Sequence, residues 1–124
     1  LTLLFPDPVG GLWLRPRGQD HWLEVAAQND TLIVNIGDLL ELWSGGYFVS
    51  TPHKVVNQSG QERYSFPFFT VPRHDVTVAP LVTPQPGFDR TPVPVGSVSR
   101  EVWRTNWPDV EPGDQGFDLG TLTD

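Results

Sequence analysis

The sequence contains no cysteine and no methionine among its 124 residues. The missing cysteines exclude disulfides, zinc–thiolate sites, thiolate catalysis and iron–sulfur clusters. Basic residues are also few, 8 against 15 acidic ones, and the net charge of −7 disfavours nucleic acid or an anionic membrane surface as a partner. No apolar run approaches the ~20 residues that span a bilayer, and the first residues lack the basic flank of a signal peptide. The default compartment is therefore the cytoplasm.

Methionine is absent even at position 1, and the chain opens directly in a strand-like run over residues 1–5. A natural full-length protein rarely begins in this way. We therefore expect the sequence to be a fragment whose N-terminal part is missing or lies in another chain.

Glycine and proline are abundant, at 12 and 13 residues, and this composition favours short strands joined by turns over long helices. Apolar β-formers cluster in seven short runs. A set of seven strands at such spacing predicts a sandwich, a jelly roll or a barrel. The predicted strands cover residues 1–5, 11–15, 21–26, 31–36, 48–57, 62–71 and 76–81.

One short helix is predicted over residues 38–43. Asp38 stands where an N-cap acid is expected and Glu41 follows three residues later, which resembles a capping box. Gly45 and Gly46 come next and should end this helix after one or two turns.

Residues 82–124 differ in composition from the part of the chain before them. Residues 82–96 are rich in proline and predict an extended surface strap. A second helix is predicted over residues 97–107, with an apolar stripe formed by Val98, Val102 and Trp103. Residues 105–124 carry five acidic residues and no basic one, which favours a solvated acidic tail over a binding arm.

The three histidines differ in their sequence surroundings. His21 and His74 lie in or beside polar turns and are expected to be ordinary surface residues. His53 instead lies inside the predicted strand over residues 48–57. Spacing alone favours a structural histidine over a metal ligand at this position.

Arg63 and Ser65 are two residues apart in a predicted strand, so their side chains should share one face with Cα atoms ~6.6 Å apart. A guanidinium fork can hold a carboxylate bidentately, and a hydroxyl adds a further donor, so the pair could bind one anion. The alternative is an arginine paired with a surface acid beside an unrelated serine. From the spacing alone, this alternative is favoured.

Five segments, read in order, resemble one family. They are LTLLF at 1–5, DPVGGL at 7–12, VNIGDLL at 34–40, STPHKVV at 50–56 and ERYSFPFF at 62–69. In this order and at these spacings they resemble the C-terminal catalytic region of the isopenicillin N synthase-like 2-oxoglutarate- and Fe(II)-dependent dioxygenases. The resemblance covers residues 1–81, and residues 82–124 show no usable pattern of that family.

The resemblance implies an all-β fold, the double-stranded β-helix or cupin-like jelly roll, incomplete at its N-terminal side and with one or two short helices. It divides the chain into residues 1–81, the C-terminal part of the jelly-roll domain, and residues 82–124, the strap, helix and acidic tail.

The resemblance also implies a set of site residues for the cofactors Fe(2+) and 2-oxoglutarate. In the family, iron is held by a His-x-Asp motif and a distant histidine, and the latter matches His53. The family's Arg-x-Ser motif, which binds the distal carboxylate of 2-oxoglutarate, matches Arg63 and Ser65. Asn35, Phe68 and Phe69 are implied near the substrate pocket. Core packing of the phenylalanines and a backbone-capping role for Asn35 remain alternatives.

The His-x-Asp motif is absent from the sequence. Two residues after the three histidines stand Leu23, Val55 and Val76. In the family this motif lies just upstream of the segment that matches residues 1–5. We therefore expect the first two iron ligands in the missing N-terminal segment of the same protein, an inactive isolated chain, and an unpaired sheet edge beside residues 1–5.

The implied activity of the longer parent is oxidation of a small organic substrate with O₂, by hydroxylation or desaturation, while 2-oxoglutarate is decarboxylated to succinate. Two alternatives stay open. One is a cosubstrate-independent non-haem iron oxidase of the same family, in which the arginine and serine hold a substrate carboxylate. The other is a non-enzymatic jelly-roll module that binds a carboxylate ligand or a protein partner.

Overall fold

The computed structural model describes residues 1–26, 28–106 and 108. These residues form two compact units, one made of Leu1–Val71 and Ala79–Thr91, the other of Pro72–Val78 and the described residues from Pro92 onward. The first unit contains, in chain order, β1 (Thr2–Phe5), β2 (Leu12–Leu14), β3 (Leu23–Val25), β4 (Ile33–Asn35), α1 (Asp38–Trp43), β5 (His53–Val55) and β6 (Phe66–Phe69). The second contains β7 (Thr77–Val78), β8 (Val93–Pro94) and α2 (Val95–Asn106).

All seven predicted strands form, but each is shorter than its apolar run. The largest differences are at β5 and β6, whose apolar runs begin at residues 48 and 62. Pro52 has no N–H for a ladder hydrogen bond, and Pro52 directly precedes β5. Pro52 therefore limits how far β5 extends toward the N-terminus. Apolar composition alone does not locate this limit.

The first sheet is antiparallel and has the order β4-β1-β6. Thr2 lies between Asn35 and Phe69, and the next residue along β1 lies between Val34 and Phe68. The expected unpaired edge beside residues 1–5 is therefore wrong. Because β6 comes from far along the chain to pair with the second side of β1, β1 is the central strand of this sheet.

The second sheet is also antiparallel, with the order β3-β2-β5. One face carries two rows across the strands, Leu23-Leu14-His53 and Val25-Leu12-Val55, in which every residue but His53 is apolar. Leu12, in the middle of this face, is buried. On strands, alternate residues point to opposite sides, so Trp13, Glu24 and Lys54 share the other face. There, the Lys54 ammonium lies 4.2 Å from the centre of the Trp22 ring, a cation–π contact.

Helix α1 has the predicted bounds but not the predicted cap. Its N-cap residue is Gly37, and no side chain caps its N-terminus. Glu41 instead turns away from the helix start: its carboxylate accepts a hydrogen bond from the Ser50 N–H at 2.7 Å and pairs with the Arg17 guanidinium. The capping-box prediction is wrong because these partners, distant in sequence, engage the Glu41 carboxylate.

The end of α1 confirms the role of the two glycines. Gly45 and Gly46 adopt positive φ angles of 67° and 87°, and the Gly46 N–H donates to the Glu41 carbonyl at 2.9 Å, which satisfies a terminal helix carbonyl. A Cβ atom at Gly46 would lie 2.6 Å from the Phe88 ring. This turn thus allows the segment that contains Phe88 to pack closely against the helix end.

The second unit pairs β7 with β8, an unpredicted strand inside the proline-rich strap. Val95, at the start of α2, is fully buried, and its N–H donates to the Val76 carbonyl at 3.0 Å. Helix α2 begins two residues before the predicted start. Val98 and Trp103 are half-buried as the stripe predicts, whereas Val102 is 51% exposed. Trp107 and residues 109–124, with most of the predicted acidic tail, lie outside the described residues.

Buried apolar side chains are few in the described part of the chain: Leu12 and Leu42 in the first unit, Val78 and Val95 in the second. Neither helix described has the length and hydrophobicity that a bilayer crossing needs.

The Glu41 contacts generate a stability prediction. Glu41→Ala should lower the free energy of unfolding by about 1–3 kcal/mol, because it leaves the part-buried Ser50 N–H without its acceptor. Arg17→Ala should cost less than about 1 kcal/mol, because the Arg17 side chain is 56% exposed and its ion pair is screened by solvent. Urea denaturation of both variants checks the order, and equal losses would contradict it.

Candidate functional site

The structure brings Arg63 and Ser65 together. Arg63 Nη1 donates a hydrogen bond to Ser65 Oγ at 3.2 Å. Both residues precede β6, so the predicted strand setting for this pair is wrong. Their side chains nevertheless lie on the same side of the chain. Burial alternates along this segment, with Arg63 and Ser65 half-buried and Tyr64 and Phe66 exposed.

Arg63 differs from Arg17 and Arg73 in what it contacts. Arg17 pairs with Glu41, and Arg73 pairs with Asp75. Within the described residues, no carboxylate lies within salt-bridge distance of Arg63. Its Nε atom donates instead to the Gly10 carbonyl at 2.6 Å. A half-buried guanidinium that binds a neutral carbonyl and a hydroxyl retains N–H groups and a full charge for an external anion.

A carboxylate near this arginine, that of Asp7, is occupied by backbone groups. Asp7 Oδ1 accepts the Val9 N–H at 2.7 Å, and Asp7 Oδ2 accepts the Tyr64 N–H at 2.6 Å. These two bonds, that from Tyr64 above all, lower the pKa of Asp7 below its ordinary value of 3.8, and the positive charge of Arg63 acts in the same direction.

The turn that follows Asp7 connects the Arg63 head group to strand β5. Gly10 and Gly11 have φ angles of 80° and 79°, a conformation that other L-residues rarely adopt. The Gly11 carbonyl accepts the Val56 N–H at 2.8 Å, directly after β5. A Cβ atom on Gly11 would lie 2.5 Å from the Val56 carbonyl oxygen and 3.7 Å from Arg63 Nε. The two glycines therefore permit a close approach of three chain segments.

His53 begins β5, on the apolar face of the second sheet and opposite Leu14. Its Nδ1 lies 3.0 Å from the Thr51 carbonyl oxygen. A hydrogen bond from Nδ1–H to that carbonyl orients the ring, and Nε2 is then the ring nitrogen that could face a metal. Val56 is three positions along the extended chain from His53, about 10 Å between Cα atoms.

The described residues contain no group of three His, Cys, Asp or Glu side chains close enough to hold a metal ion. His53 is thus a single candidate ligand. Any iron at this position needs further ligands that the described part of the chain does not bring to it.

Asn35, Phe68 and Phe69 divide between the two faces of the first sheet. Asn35 and Phe69 flank Thr2 and share one face, whereas Phe68 flanks Leu3 on the opposite face. The Phe68 and Phe69 side chains are 61% and 65% exposed, so neither packs in a core of the described residues.

Of two cavities in the first unit, one adjoins the Gly10–Gly11 turn and the other lies away from the predicted site residues. A small one of about 240 Å³ adjoins Gly11 and Val56. A larger open groove of about 630 Å³ contains none of the predicted site residues. Its lining is mostly apolar: Leu40, Trp43, Ser44, Tyr47, Phe48, Leu81, Val82 and Thr83.

Sequence reasoning missed Asp7. The local signal was present, since Asp between two prolines and followed by two glycines is typical of a turn. The partner that makes Asp7 part of this site is Tyr64, 57 residues further along the chain, and no local pattern identifies it.

Substitution of Gly11 tests the close approach at the turn. Gly11→Ala should lower the free energy of unfolding by about 1–3 kcal/mol more than Gly18→Ala, because only the first adds a steric clash. Gly18 is a matched control: its φ is also 79°, but a Cβ there would meet nothing within 4 Å. Denaturant titration of both variants measures the difference, and equal losses would disprove the clash.

The pKa of Asp7 predicts an acid-sensitive contribution to stability. Because the folded-state pKa lies below the ordinary 3.8, this group stabilises the fold above that pH, and the contribution is lost as the pH falls through the folded-state pKa. Asp7→Asn should therefore lose less stability than the wild type between pH 5 and strongly acidic pH. Thermal melts across this range measure it. Asp89, whose pKa is also lowered by bonds from Thr91, remains in both proteins and cancels in the comparison.

Known proteins of one family resemble this chain. The family model described as the 2OG-Fe(II) oxygenase superfamily matches residues 1–72. Jasmonate-induced oxygenase 4 of Arabidopsis thaliana is 45% identical over 82 residues, which is 65% of this chain and 23% of that protein. A 1-aminocyclopropane-1-carboxylate oxidase of Dictyostelium mucoroides is 41% identical over 73 residues, 58% of this chain and 20% of that protein. The chain thus spans about a quarter or less of the length of the curated relatives it matches.

Solved structures give the same result. A full-length Neurospora crassa protein, crystallised in complex with alpha-KG, matches with a TM-score of 0.67 and 28% identity over 82% of this chain and 33% of that one. JOX2 in complex with 2OG, Fe and JA matches with a TM-score of 0.60 and 38% identity over 64% of this chain and 23% of that one. The likeness confirms the predicted jelly-roll fold class, of which this chain contains a part. The chain belongs to the 2OG-Fe(II) oxygenase superfamily.

Proposed function

We propose that this chain supplies one iron ligand and the 2-oxoglutarate carboxylate site of an Fe(II)- and 2-oxoglutarate-dependent dioxygenase. The reaction would consume O₂ and 2-oxoglutarate, hydroxylate or desaturate a small organic substrate, and release succinate and CO₂. The observation that carries the proposal is Arg63, a half-buried guanidinium held by Gly10 and Ser65 with no described acid paired to it.

The residues of the site fit both cofactors. His53 offers an imidazole nitrogen, a ligand type suited to Fe(II), on a ring whose Nδ1 lies against the Thr51 carbonyl. Arg63 and Ser65 offer parallel N–H donors and a hydroxyl, which suit a carboxylate. When bound, ferrous iron supplies the O₂ chemistry that side chains lack. The role of this chain is to hold the cosubstrate's carboxylate and one position of the metal.

Iron needs more than one imidazole, and the sequence has no His-x-Asp or His-x-Glu pair. We propose that the remaining ligands come from polypeptide outside these 124 residues, as a preceding segment of the same protein. The share of each relative that this chain covers, about a quarter or less, leaves room for such a segment. Residues 1–81 are proposed as the C-terminal part of the oxygenase domain. Cytoplasmic location and the absence of a nucleic-acid partner stay predictions from the sequence.

The substrate pocket is proposed to include Asn35 and Phe69, which share one sheet face. Phe68, on the other face, is the weaker of the two predicted aromatic contacts. The substrate itself is proposed only by class, a small organic molecule, since the relatives differ in what their names state.

A second candidate follows from one relative. The Dictyostelium protein is named 1-aminocyclopropane-1-carboxylate oxidase, so its substrate is itself a carboxylate. In such an enzyme the Arg63 and Ser65 pair would hold the substrate carboxylate in place of 2-oxoglutarate. The chemistry of the anion site is the same, and only its occupant differs.

Arg63 is tested by titrating 2-oxoglutarate, without metal, into the chain while its NMR signals are followed. The wild type should show saturable shifts at Arg63 and Ser65, and Arg63→Ala should weaken binding by about tenfold or more, because a charge-assisted pair is lost. Arg73→Ala is the matched control, since Arg73 is exposed and already paired with Asp75.

The outcomes separate the candidates. Binding that survives in Arg63→Ala would contradict the proposed site. Binding of 1-aminocyclopropane-1-carboxylate but not of 2-oxoglutarate, with the same dependence on Arg63, would replace the first candidate by the second.

A further inference from the structure

We propose that Asp7 is a positioning residue that sets Arg63 and Ser65 in the geometry required to bind a carboxylate. This inference rests on the proposed function and deepens it, because it assigns to the anion site a residue that makes no contact with the anion. The Asp7 carboxylate acts through two backbone segments, Tyr64 between the pair and the turn that accepts a hydrogen bond from Arg63.

The Tyr64 N–H links Asp7 directly to the pair. Tyr64 stands between Arg63 and Ser65, and its N–H donates to Asp7 Oδ2 at 2.6 Å. Fixing this peptide group restricts the backbone of both neighbours. Because alternate residues in extended chain point to the same side, the Arg63 and Ser65 side chains are then directed together, as their 3.2 Å contact shows.

The other oxygen of the same carboxylate holds the turn beneath Arg63. Asp7 Oδ1 accepts the Val9 N–H at 2.7 Å, and the Asp7 carbonyl accepts the Gly10 N–H at 3.0 Å. These bonds shape the turn whose Gly10 carbonyl accepts Arg63 Nε at 2.6 Å. Asp7 therefore controls Arg63 at two points, the backbone beside it and the acceptor of its side chain.

Asp7 forms no ion pair with Arg63. Asp7 lies close enough to Arg63 for the guanidinium to help lower the Asp7 pKa, but its oxygens are engaged by backbone N–H groups. The Asp7 carboxylate thus holds the arginine in place without forming the ion pair that would block an incoming anion. This arrangement contrasts with Arg73, whose guanidinium is occupied by Asp75.

A purely structural role for Asp7 predicts a different result from a positioning role. Loss of a turn bond alone would lower the stability of the chain and leave the affinity of the folded molecules unchanged. Loss of positioning would lower the affinity of the folded molecules themselves. The chain offers a matched control in Asp89, whose Oδ1 also accepts a backbone N–H and a hydroxyl, both from Thr91 in its own loop.

The experiment compares Asp7→Ala, Asp7→Asn and Asp89→Ala with the wild type, at a temperature where melts show each to be folded. Two readouts are recorded: the NMR affinity for 2-oxoglutarate, and the Arg63 Nε–Hε signal, whose exchange with water is slowed by its bond to Gly10. Asp7→Ala should weaken the affinity for 2-oxoglutarate by about ten- to a hundredfold, the usual effect of removing a group that orients a binding residue. It should also speed the exchange of the Arg63 Nε–Hε proton. Asp89→Ala should change neither.

Asp7→Asn keeps one acceptor oxygen and covers the case in which Asp7→Ala does not fold. Its loss of affinity for 2-oxoglutarate should be smaller than that of Asp7→Ala, and its Arg63 Nε–Hε exchange should be faster than in the wild type. Unchanged affinity and exchange in a folded Asp7 variant would overturn the inference. If the wild type itself binds no 2-oxoglutarate, the proposed function fails, while the Arg63 Nε–Hε signal still decides whether Asp7 positions Arg63.

Discussion

The hydrogen bond from Arg63 Nε to the Gly10 carbonyl is the contact on which the rest of the site depends. It joins residues 53 positions apart, and it is charge-assisted and part-buried. Next to it, the Gly11 carbonyl accepts the N–H of Val56, which directly follows β5. The Asp7 carboxylate accepts the N–H of Tyr64, the residue after Arg63. One turn therefore ties the strand that begins with His53 to the segment that carries the arginine.

The hydrogen bonds of Arg63 also leave its positive charge without an acidic partner. The chain has 15 acidic residues and only 8 basic ones, yet Arg63 pairs with no acidic side chain of the described residues. A half-buried guanidinium then needs neutral groups that accept its hydrogen bonds. A carbonyl and a hydroxyl do so here, and the nearby carboxylate is occupied by peptide N–H groups. The positive charge remains available to an anion of the right shape, which is the property that a cosubstrate carboxylate requires.

The sequence predicts what depends on neighbours along the chain and misses what depends on distant partners. Gly45 and Gly46 end α1 as expected because a helix end is a local matter. The sequence predicts Glu41 as a helix cap, but its carboxylate binds Ser50 and Arg17. It does not predict Asp7, because the partner Tyr64 is 57 residues further along the chain. Seven strands follow from apolar runs, whereas their lengths and the strand β8 do not, since ladder pairing decides them. His53, Arg63 and Ser65 became candidates only through an ordered set of segments that resembles a family.

The most direct test of the proposed site is an anaerobic titration of Fe(II) and 2-oxoglutarate, in which the visible charge-transfer band of the chelate is followed. The titration compares this chain with a form joined to a preceding segment that carries a His-x-Asp pair. We predict a band only in the extended form, absent from its His53→Ala variant and shifted to higher 2-oxoglutarate concentration in Arg63→Ala. A band that survives His53→Ala, or one that forms at the same concentration without Arg63, would contradict the proposed site.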